Sequence, residues 1–171
     1  MNRIQSYARA LGLFVAGAVF GTLVLHPSAA QEKKNTNLHL NHVGIAVKDV
    51  DATVAYYTKV MGYRVAFKFP PGPDGKPTTT YMQMNRDTFL EIAPATDALP
   101  AGTITHMGIQ SDDVKAAVAQ IRMNGGEVQD ARPSAATKAM LSNITDPNGI
   151  RSELIELTPD SLHKQAVDRW R

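Results

Sequence analysis

Two histidines occupy equivalent places in two similar stretches of the chain. When residues 42–62 are placed over residues 106–126 without a gap, nine of 21 positions are identical and His42 falls on His106. A chance alignment of this length would share about one or two positions. An imidazole can bind a divalent metal or transfer a proton. The repeat therefore selects His42 and His106, rather than the neighbouring His39, as candidates for chemistry.

Each histidine is followed at a similar distance by a glutamate in an apolar segment. Glu91 lies in "TFLEIAP", 49 residues after His42, and Glu153 lies in "RSELIEL", 47 residues after His106. A carboxylate in an apolar strand costs free energy unless it is paired or bound to a metal. Two histidines and two glutamates suit one divalent ion such as Ni, Zn, Mn, Co or Fe, with positions left for water or substrate.

A purely structural interpretation of the two glutamates is also open. Glu91 could pair with a lysine, and Glu153 could be exposed at the surface. A structural role of this kind is the better explanation for Glu156, because Glu156 lies on the opposite face of its strand. The repeated fourfold pattern favours the metal site.

The elements that must position these residues also repeat. Each unit reads as strand, helix and three further strands, so we predict an α+β fold of two tandem βαβββ modules. Aspartates cap the helices, at position 49 or 51 and at 112 or 113, and glycines end them. A C-terminal helix should follow at 158–171, with Thr158 as its N-cap. The predicted strands are 39–47, 63–69, 78–84, 87–93, 103–111, 127–130, 138–145 and 150–157, and the helices are 51–61 and 113–124.

Alternation along the first strand separates two faces. His42, Gly44 and Ala46 share one face, and branched residues at 43, 45 and 47 share the other. The branched face suits packing under the helix, and the histidine face, which is otherwise small, suits an open concave surface. Aromatic residues and methionine at 56, 57, 81 and 82 are typical of a core.

These motifs resemble the vicinal oxygen chelate superfamily, which includes glyoxalases, bleomycin-resistance proteins and dioxygenases. The resemblance covers residues 38–157, as modules 38–95 and 102–157, and includes "LNHVGIAVKDVDATVAYYTKVMGYRV" and "DPNGIRSELIEL". It implies a cup of curved mixed sheet in which a metal chelates a small substrate through neighbouring oxygens. Within the superfamily, the set His42, Glu91, His106 and Glu153 is similar to the metal ligands of bacterial glyoxalase I.

That similarity implies a lactoylglutathione lyase-type reaction, in which a small oxygenated substrate is isomerised through an enediolate. Glu153 would be the leading proton shuttle, and Glu91 a ligand and possible second base. Glyoxalase I also uses an arginine and an asparagine to hold glutathione, but Ala46 and Ala95 occupy those places here, which argues against glutathione. We expect a homodimer, because a short chain gains a core by pairing open sheet edges. Two chains could exchange modules, as the resemblance to glyoxalase I implies.

Three alternatives follow from the same resemblance. Methylmalonyl-CoA epimerase shares the "HVGIAV" opening, although its substrate is cytoplasmic. Extradiol dioxygenases use two histidines and one carboxylate for Fe(II), which here would be His42, His106 and Glu153. A metal-free binding protein of the bleomycin-resistance type would use the cup only to sequester a small molecule.

The N-terminus has the features of a secretory signal. Arg3 and Arg9 precede an apolar run at 11–25, and "SAA" ends at Ala30, so we expect cleavage after residue 30 and a short leader at 31–37. The apolar run is shorter than the ~20 residues needed to cross a bilayer. The mature protein should therefore be periplasmic or secreted, without a membrane span. The alternative is that the segment stays uncleaved and anchors the domain outside the cytoplasm.

Composition narrows the remaining functions. Removal of two of the 18 basic residues and none of the 16 acidic ones reduces the net charge from +2 to zero, which argues against nucleic-acid partners. The sequence has no cysteine, which excludes disulfides, thiolate metal sites and cysteine nucleophiles. A small-molecule substrate is the expected partner.

Overall fold

The computed structural model describes residues 37–171. The predicted signal segment, and all of the leader except its last residue, lie outside the described part. Within it, no helix is long and apolar enough to cross a membrane.

Eight strands and three helices make up the described chain. Two strand–helix modules follow each other along the sequence, and the third helix comes after the second module. The elements are β1 (His39–Val47), α1 (Val50–Lys59), β2 (Arg64–Lys68), β3 (Thr80–Gln83), β4 (Phe89–Pro94), β5 (Ile104–Gln110), α2 (Val114–Met123), β6 (Arg132–Pro133), β7 (Met140–Thr145), β8 (Arg151–Glu156) and α3 (Leu162–Arg169).

All eight strands form one curved mixed sheet in the order β2-β3-β4-β1-β5-β8-β7-β6. Strand β1 pairs with β4 and β5 pairs with β8 in parallel, whereas the other pairs are antiparallel. The two modules meet at the antiparallel β1–β5 pair in the centre. The predicted α+β fold and the two-module sheet are confirmed.

Helices α1 and α2 cover the face of the sheet opposite the histidines. Val50 and Val54 of α1 pack on Leu90 and Ile92, with Ile45 and Val47 at the margin, as the alternation predicted. The equivalent cluster under α2 consists of Val114, Ala117, Val118 and Leu154. The aspartate side chains at 49 and 113 accept backbone hydrogen bonds at the starts of these helices, which settles the two open choices of N-cap.

Helix α3 lies against the other face, which carries His42 and which we call the concave face. Ala166 and Val167 pack on Tyr81 and Phe89. The first module's half of the concave face is therefore covered by the chain's own C-terminal helix. The prediction of an open surface is correct only for part of this face.

The start of α3 differs from the prediction. Ser161, not Thr158, is the N-cap, and its side chain accepts a hydrogen bond from the Lys164 N–H. The Thr158 hydroxyl instead donates to the carbonyl of Lys138. Because the Ser161 N–H bonds to the Thr158 carbonyl, the chain makes a turn before the helix begins.

The predicted strand at 127–130 is also wrong. Only Val128 forms an isolated bridge there, to Ile144, and the edge strand is the two-residue β6. Pro133 has no N–H to donate to a ladder, which limits β6 to a short edge position.

Candidate metal centre

The four residues selected from the sequence converge on the concave face. The Nε2 atoms of His42 and His106 lie 2.9 Å apart, and Glu91 Oε2 lies 3.6 Å from the first and 3.3 Å from the second. Glu153 Oε1 lies 3.8 Å from His42 Nε2. The structure of a single chain brings all four side chains together.

A glycine lies two positions after each histidine, and strand register explains why. Across the β1–β5 pair, His42 is opposite Gly108 and His106 is opposite Gly44. A Cβ atom at Gly108 would collide with the His42 ring, and one at Gly44 would collide with the His106 ring and Thr105. Each imidazole therefore lies over the bare backbone of the neighbouring strand, which brings the two rings together.

Hydrogen bonds at the outer ring nitrogens orient the histidines. The Oδ1 atom of Asn41 lies 2.9 Å from His42 Nδ1, while the amide nitrogen of Asn41 donates to Gln110. Because Oδ1 can only accept, His42 carries its proton on Nδ1 and leaves Nε2 with a lone pair. Thr105 Oγ1 lies 2.9 Å from Nδ1 of His106 and can hold the same tautomer there.

The donor geometry fits a divalent ion. Two lone pairs facing each other at 2.9 Å repel unless a cation or a proton lies between them. Donors about 2.1 Å from a metal are separated by about 3.0 Å at right angles and about 3.4 Å in a tetrahedron. The four separations given above, 2.9–3.8 Å, lie close to that range.

Burial keeps His42 in the form that a metal requires. Its side chain is fully buried, and this burial lowers the pKa of His42 to about 4, although the Glu91 carboxylate acts in the opposite direction. The imidazole is therefore neutral near neutral pH.

The two glutamates have opposite electrostatic environments. Burial alone would raise the pKa of Glu91, but the close contact with His106, the hydrogen bond from Tyr81 and the electrostatic influence of the two histidines outweigh burial and lower the pKa to about 2. The Tyr81 hydroxyl donates to Glu91 Oε2 at 2.6 Å. By contrast, burial raises the pKa of Glu153, and the nearby Glu91 carboxylate raises it further. Positive charge at His106 and at two arginines, Arg151 and Arg132, acts in the opposite direction but does not outweigh burial. Glu91 is thus a fixed anion, and Glu153 is the stronger base.

Two side chains near the site were not selected from the sequence. Tyr81, interpreted there as core, packs in a hydrophobic cluster and also orients Glu91, because the β3–β4 register places the two residues opposite each other. His163, on α3, is fully buried and stacks on the His42 ring with centroids 5.9 Å apart. No repeat or strand pattern marks His163, because α3 lies outside the two modules.

The contacts of the glutamates argue against the purely structural interpretation of Glu91 and Glu153. Glu91 faces the histidines and Tyr81 rather than a lysine, and Glu153 is largely buried rather than exposed at the surface. Glu156, on the opposite phase of β8, accepts a hydrogen bond from the backbone N–H of Val114 at the start of α2. Its separate structural role agrees with its strand phase.

Comparison with known sequences finds relatives that are named as lactoylglutathione lyases. The chain is 29% identical over 133 residues to a probable chloroplastic lactoylglutathione lyase of Arabidopsis thaliana, covering 74% of this chain but only 38% of that protein. It is 27% identical over 126 residues to a lactoylglutathione lyase of Escherichia coli O157:H7, covering 70% of this chain and 93% of that protein. The chain thus spans well under half of the plant relative and nearly all of the bacterial one.

Solved structures share the fold. Methylmalonyl-CoA epimerase from Mycobacterium tuberculosis matches 70% of this chain and 88% of its own with a TM-score of 0.59 and 21% identity. The 2,3-dioxygenase LapB from Pseudomonas sp. KL28 matches 71% of this chain and 44% of its own with a TM-score of 0.59 and 17% identity. The family model described as Glyoxalase/Bleomycin resistance protein/Dioxygenase superfamily matches residues 39–154. The chain belongs to this superfamily.

Proposed function

We propose that this protein is a metal-dependent lyase or isomerase of the glyoxalase type, which isomerises a small oxygenated substrate through an enediolate. The observation that carries the proposal is the convergence of His42, His106, Glu91 and Glu153 in one chain, with the two carboxylates differing in basicity. Environments that move the pKa values of two acids apart are typical of sites that divide binding and proton transfer between them.

Glu91 is assigned the role of a permanent ligand. Its Oε2 atom lies close to both histidine nitrogens and accepts the Tyr81 hydrogen bond, which fixes its orientation and favours its charged form. A carboxylate with a pKa of about 2 is a weak base near neutral pH.

Glu153 is assigned the transfer of the proton between adjacent substrate carbons. Its raised pKa makes it the stronger base of the pair, and its side chain remains 15% exposed at the concave face. A divalent ion held by the four side chains would supply positive charge that stabilises the oxygens of an enediolate. Glu153 would take the α-proton on one carbon and return it to the next.

The thiol cofactor of the relatives is not part of the proposal. Where glyoxalase I has glutathione-binding side chains, this chain has Ala46, which is 1% exposed on β1, and Ala95, which directly follows β4. An alanine offers no hydrogen bond to a peptide carboxylate. We therefore expect thiol-independent turnover.

The test is a panel of α-oxoaldehydes, with and without thiols, assayed with each candidate metal. Glu153→Gln should abolish turnover while retaining most metal binding, because a neutral amide can still offer an oxygen but cannot take a proton. Glu91→Gln should weaken metal binding first. Turnover that survives Glu153→Gln would contradict the assignment.

A second candidate, an Fe(II) dioxygenase of the extradiol type, is favoured by one observation. His42, His106 and Glu153 offer ligand atoms that all lie within 4.8 Å of one another, which is the two-histidine, one-carboxylate set of such enzymes. Catechols assayed in air and anaerobically distinguish the two. If oxygen uptake with a catechol persists in Glu91→Gln, the dioxygenase is favoured. If a small molecule still binds after the metal is removed by a chelator and no turnover is seen, a metal-free binding protein is favoured.

We also propose that the protein works outside the cytoplasm. The support is the arrangement of Arg3, Arg9 and the apolar run that ends in "SAA". N-terminal sequencing of the protein from cell fractions should find Gln31 as the first residue in the periplasmic or secreted fraction. Recovery of the intact chain from the cytoplasm would contradict export. The protein would then have access to substrates linked to coenzyme A or glutathione.

A further inference from the structure

A polar cleft of about 540 Å³ lies beside the candidate metal centre, on the second module. Its lining includes two arginines, Arg132 and Arg151, together with Asn143, Gln129 and one acid, Glu127. The other half of the concave face is covered by α3. None of the four converging side chains lines the cleft, but Arg151 of its lining lies 3.9 Å from Glu153, so the cleft adjoins the site.

Strand register places the arginines on the same face as Glu153. Asn143 is opposite Glu153 in the β7–β8 pair, and Arg151 precedes Glu153 by two residues on β8. Arg132 on β6 is opposite Leu141, which shares a face with Asn143 because it lies two residues away. Both arginine side chains therefore belong to the concave face, and Arg151 lies on the strand next to that of His106.

The Arg151 guanidinium is held at the edge of the site by side chains of the cleft. Its Nη1 donates to Asn143 Oδ1 at 2.8 Å, and Asn143 in turn donates to Gln129 Oε1 at 3.2 Å. The same Nη1 lies 3.9 Å from Glu153 Oε2, longer than a hydrogen bond. A guanidinium has five N–H donors, so this group retains donors for a further anion.

We propose that the substrate carries a carboxylate separate from its neighbouring chelating oxygens, and that Arg151 and Arg132 bind this carboxylate in the cleft. This rests on the proposed function, because it assumes that the other end of the substrate reaches the metal centre. Arginine binds carboxylates through paired N–H groups, and the interaction is strengthened by its charge. The first module has alanines, Ala46 and Ala95, where glyoxalase I binds glutathione. The proposed anion site lies on the second module instead.

The distances set the size of the substrate. Glu153 Oε1 lies 3.8 Å from His42 Nε2, and the other oxygen of that carboxylate lies 3.9 Å from Arg151. The Arg151 side of the anion site thus lies 3.9 Å from a metal-ligand candidate. A carboxylate that is two or three carbon atoms from the chelating oxygens spans this gap.

The experiment compares two probes that differ only at the distal end. Binding of 2-oxoglutarate and of 2-oxopentanoate to the metal-loaded protein is measured by calorimetry, since both carry the same α-oxo acid and only the first has a distal carboxylate. Wild type should bind 2-oxoglutarate at least about 10-fold more tightly, and this preference should decrease as salt is raised.

Variants locate the preference. Arg151→Gln, and its combination with Arg132→Gln, should reduce the preference to less than about threefold, while the protein still binds the metal. Arg86→Gln removes the same charge from an exposed turn residue paired only loosely with Asp87, and should keep the preference. Equal binding of the two probes to wild type, or a preference retained in the double variant, would overturn the anion site.

The outcome is separable from that of the proposed reaction. A distal-carboxylate preference without isomerase activity on any oxoaldehyde would count against the reaction and support the anion site. Binding of 2-oxopentanoate without a preference would overturn the anion site alone. Failure of both probes to bind metal-loaded protein would overturn the anion site, whereas the reaction is tested separately by the oxoaldehyde panel.

Discussion

Replacing His163 by phenylalanine should make the protein more stable. The imidazole is fully buried among Phe67, Tyr81 and Phe89, with ring centroids 4.7–5.1 Å away, and stacks on His42. Among the described residues, neither ring nitrogen of His163 has a hydrogen-bond partner. A phenyl ring would retain the aromatic contacts and remove both unsatisfied nitrogens.

The size of the effect follows from two opposing contributions. Each of the two unsatisfied nitrogens costs about 1–3 kcal/mol, and fitting the larger ring into a packed site costs about 1–3 kcal/mol. With central values for both contributions, the net gain in the free energy of unfolding should be about 2 kcal/mol at pH 7. In a domain of this size, each kcal/mol raises Tm by about 3–5 °C.

Acid should increase the advantage of the variant. Burial lowers the pKa of His163 from 6.5 to about 3, with the nearby His42 adding to the effect. Between these values the unfolded chain binds a proton that the folded chain does not, so this histidine destabilises the fold as pH decreases. At pH 5 the cost is about 2 kcal/mol, and the phenylalanine variant avoids it.

The assay is urea unfolding of the chelator-treated protein at pH 7 and pH 5. His39→Phe is the matched control, because His39 is exposed on β1 and its replacement should change the unfolding free energy by no more than about 0.5 kcal/mol. An unfolding free energy for His163→Phe that is no higher than that of wild type at either pH would refute the reasoning.

Three further predictions concern the site and the assembly. Tyr81→Phe should lower metal affinity about 10–100-fold with little loss of stability, because it removes the hydrogen bond to Glu91; unchanged metal titrations would show that this contact is unimportant. Gly108→Ala should destabilise the protein by about 1–3 kcal/mol and weaken metal binding, since its Cβ would collide with the His42 ring; thermal melts and metal titrations that match wild type would be inconsistent with this close approach. Sedimentation should find a homodimer, as the family resemblance implies; a monomer at micromolar concentration would contradict that expectation without affecting a site built from one chain.

Much of the central site was predictable from sequence because it is encoded twice. The repeat fixes His42 and His106 on equivalent strands, and alternation then places Glu91 and Glu153 on a common face. The requirement for glycine after each histidine became explicable only from the β1–β5 register, which sequence periodicity does not specify.

The surroundings of the site were less predictable because they depend on packing between distant segments. Tyr81 has the sequence context of a core residue, and only its pairing with Glu91 across two strands shows its second role. Helix α3 has no counterpart in the repeat, so neither its position on the concave face nor the burial of His163 could be derived from the pattern. By contrast, Arg151 could have been found, since it lies two residues before Glu153 on the same strand and therefore on the same face.

The central claim is that four side chains of one chain hold a divalent ion. Anomalous diffraction from crystals of the mature protein, grown with Zn or Ni, tests it most directly. The account predicts one peak about 2.0–2.2 Å from Nε2 of His42, Nε2 of His106 and a carboxylate oxygen each of Glu91 and Glu153, all from the same chain. A peak elsewhere, ligands drawn from two chains, or no peak at these four side chains would contradict it.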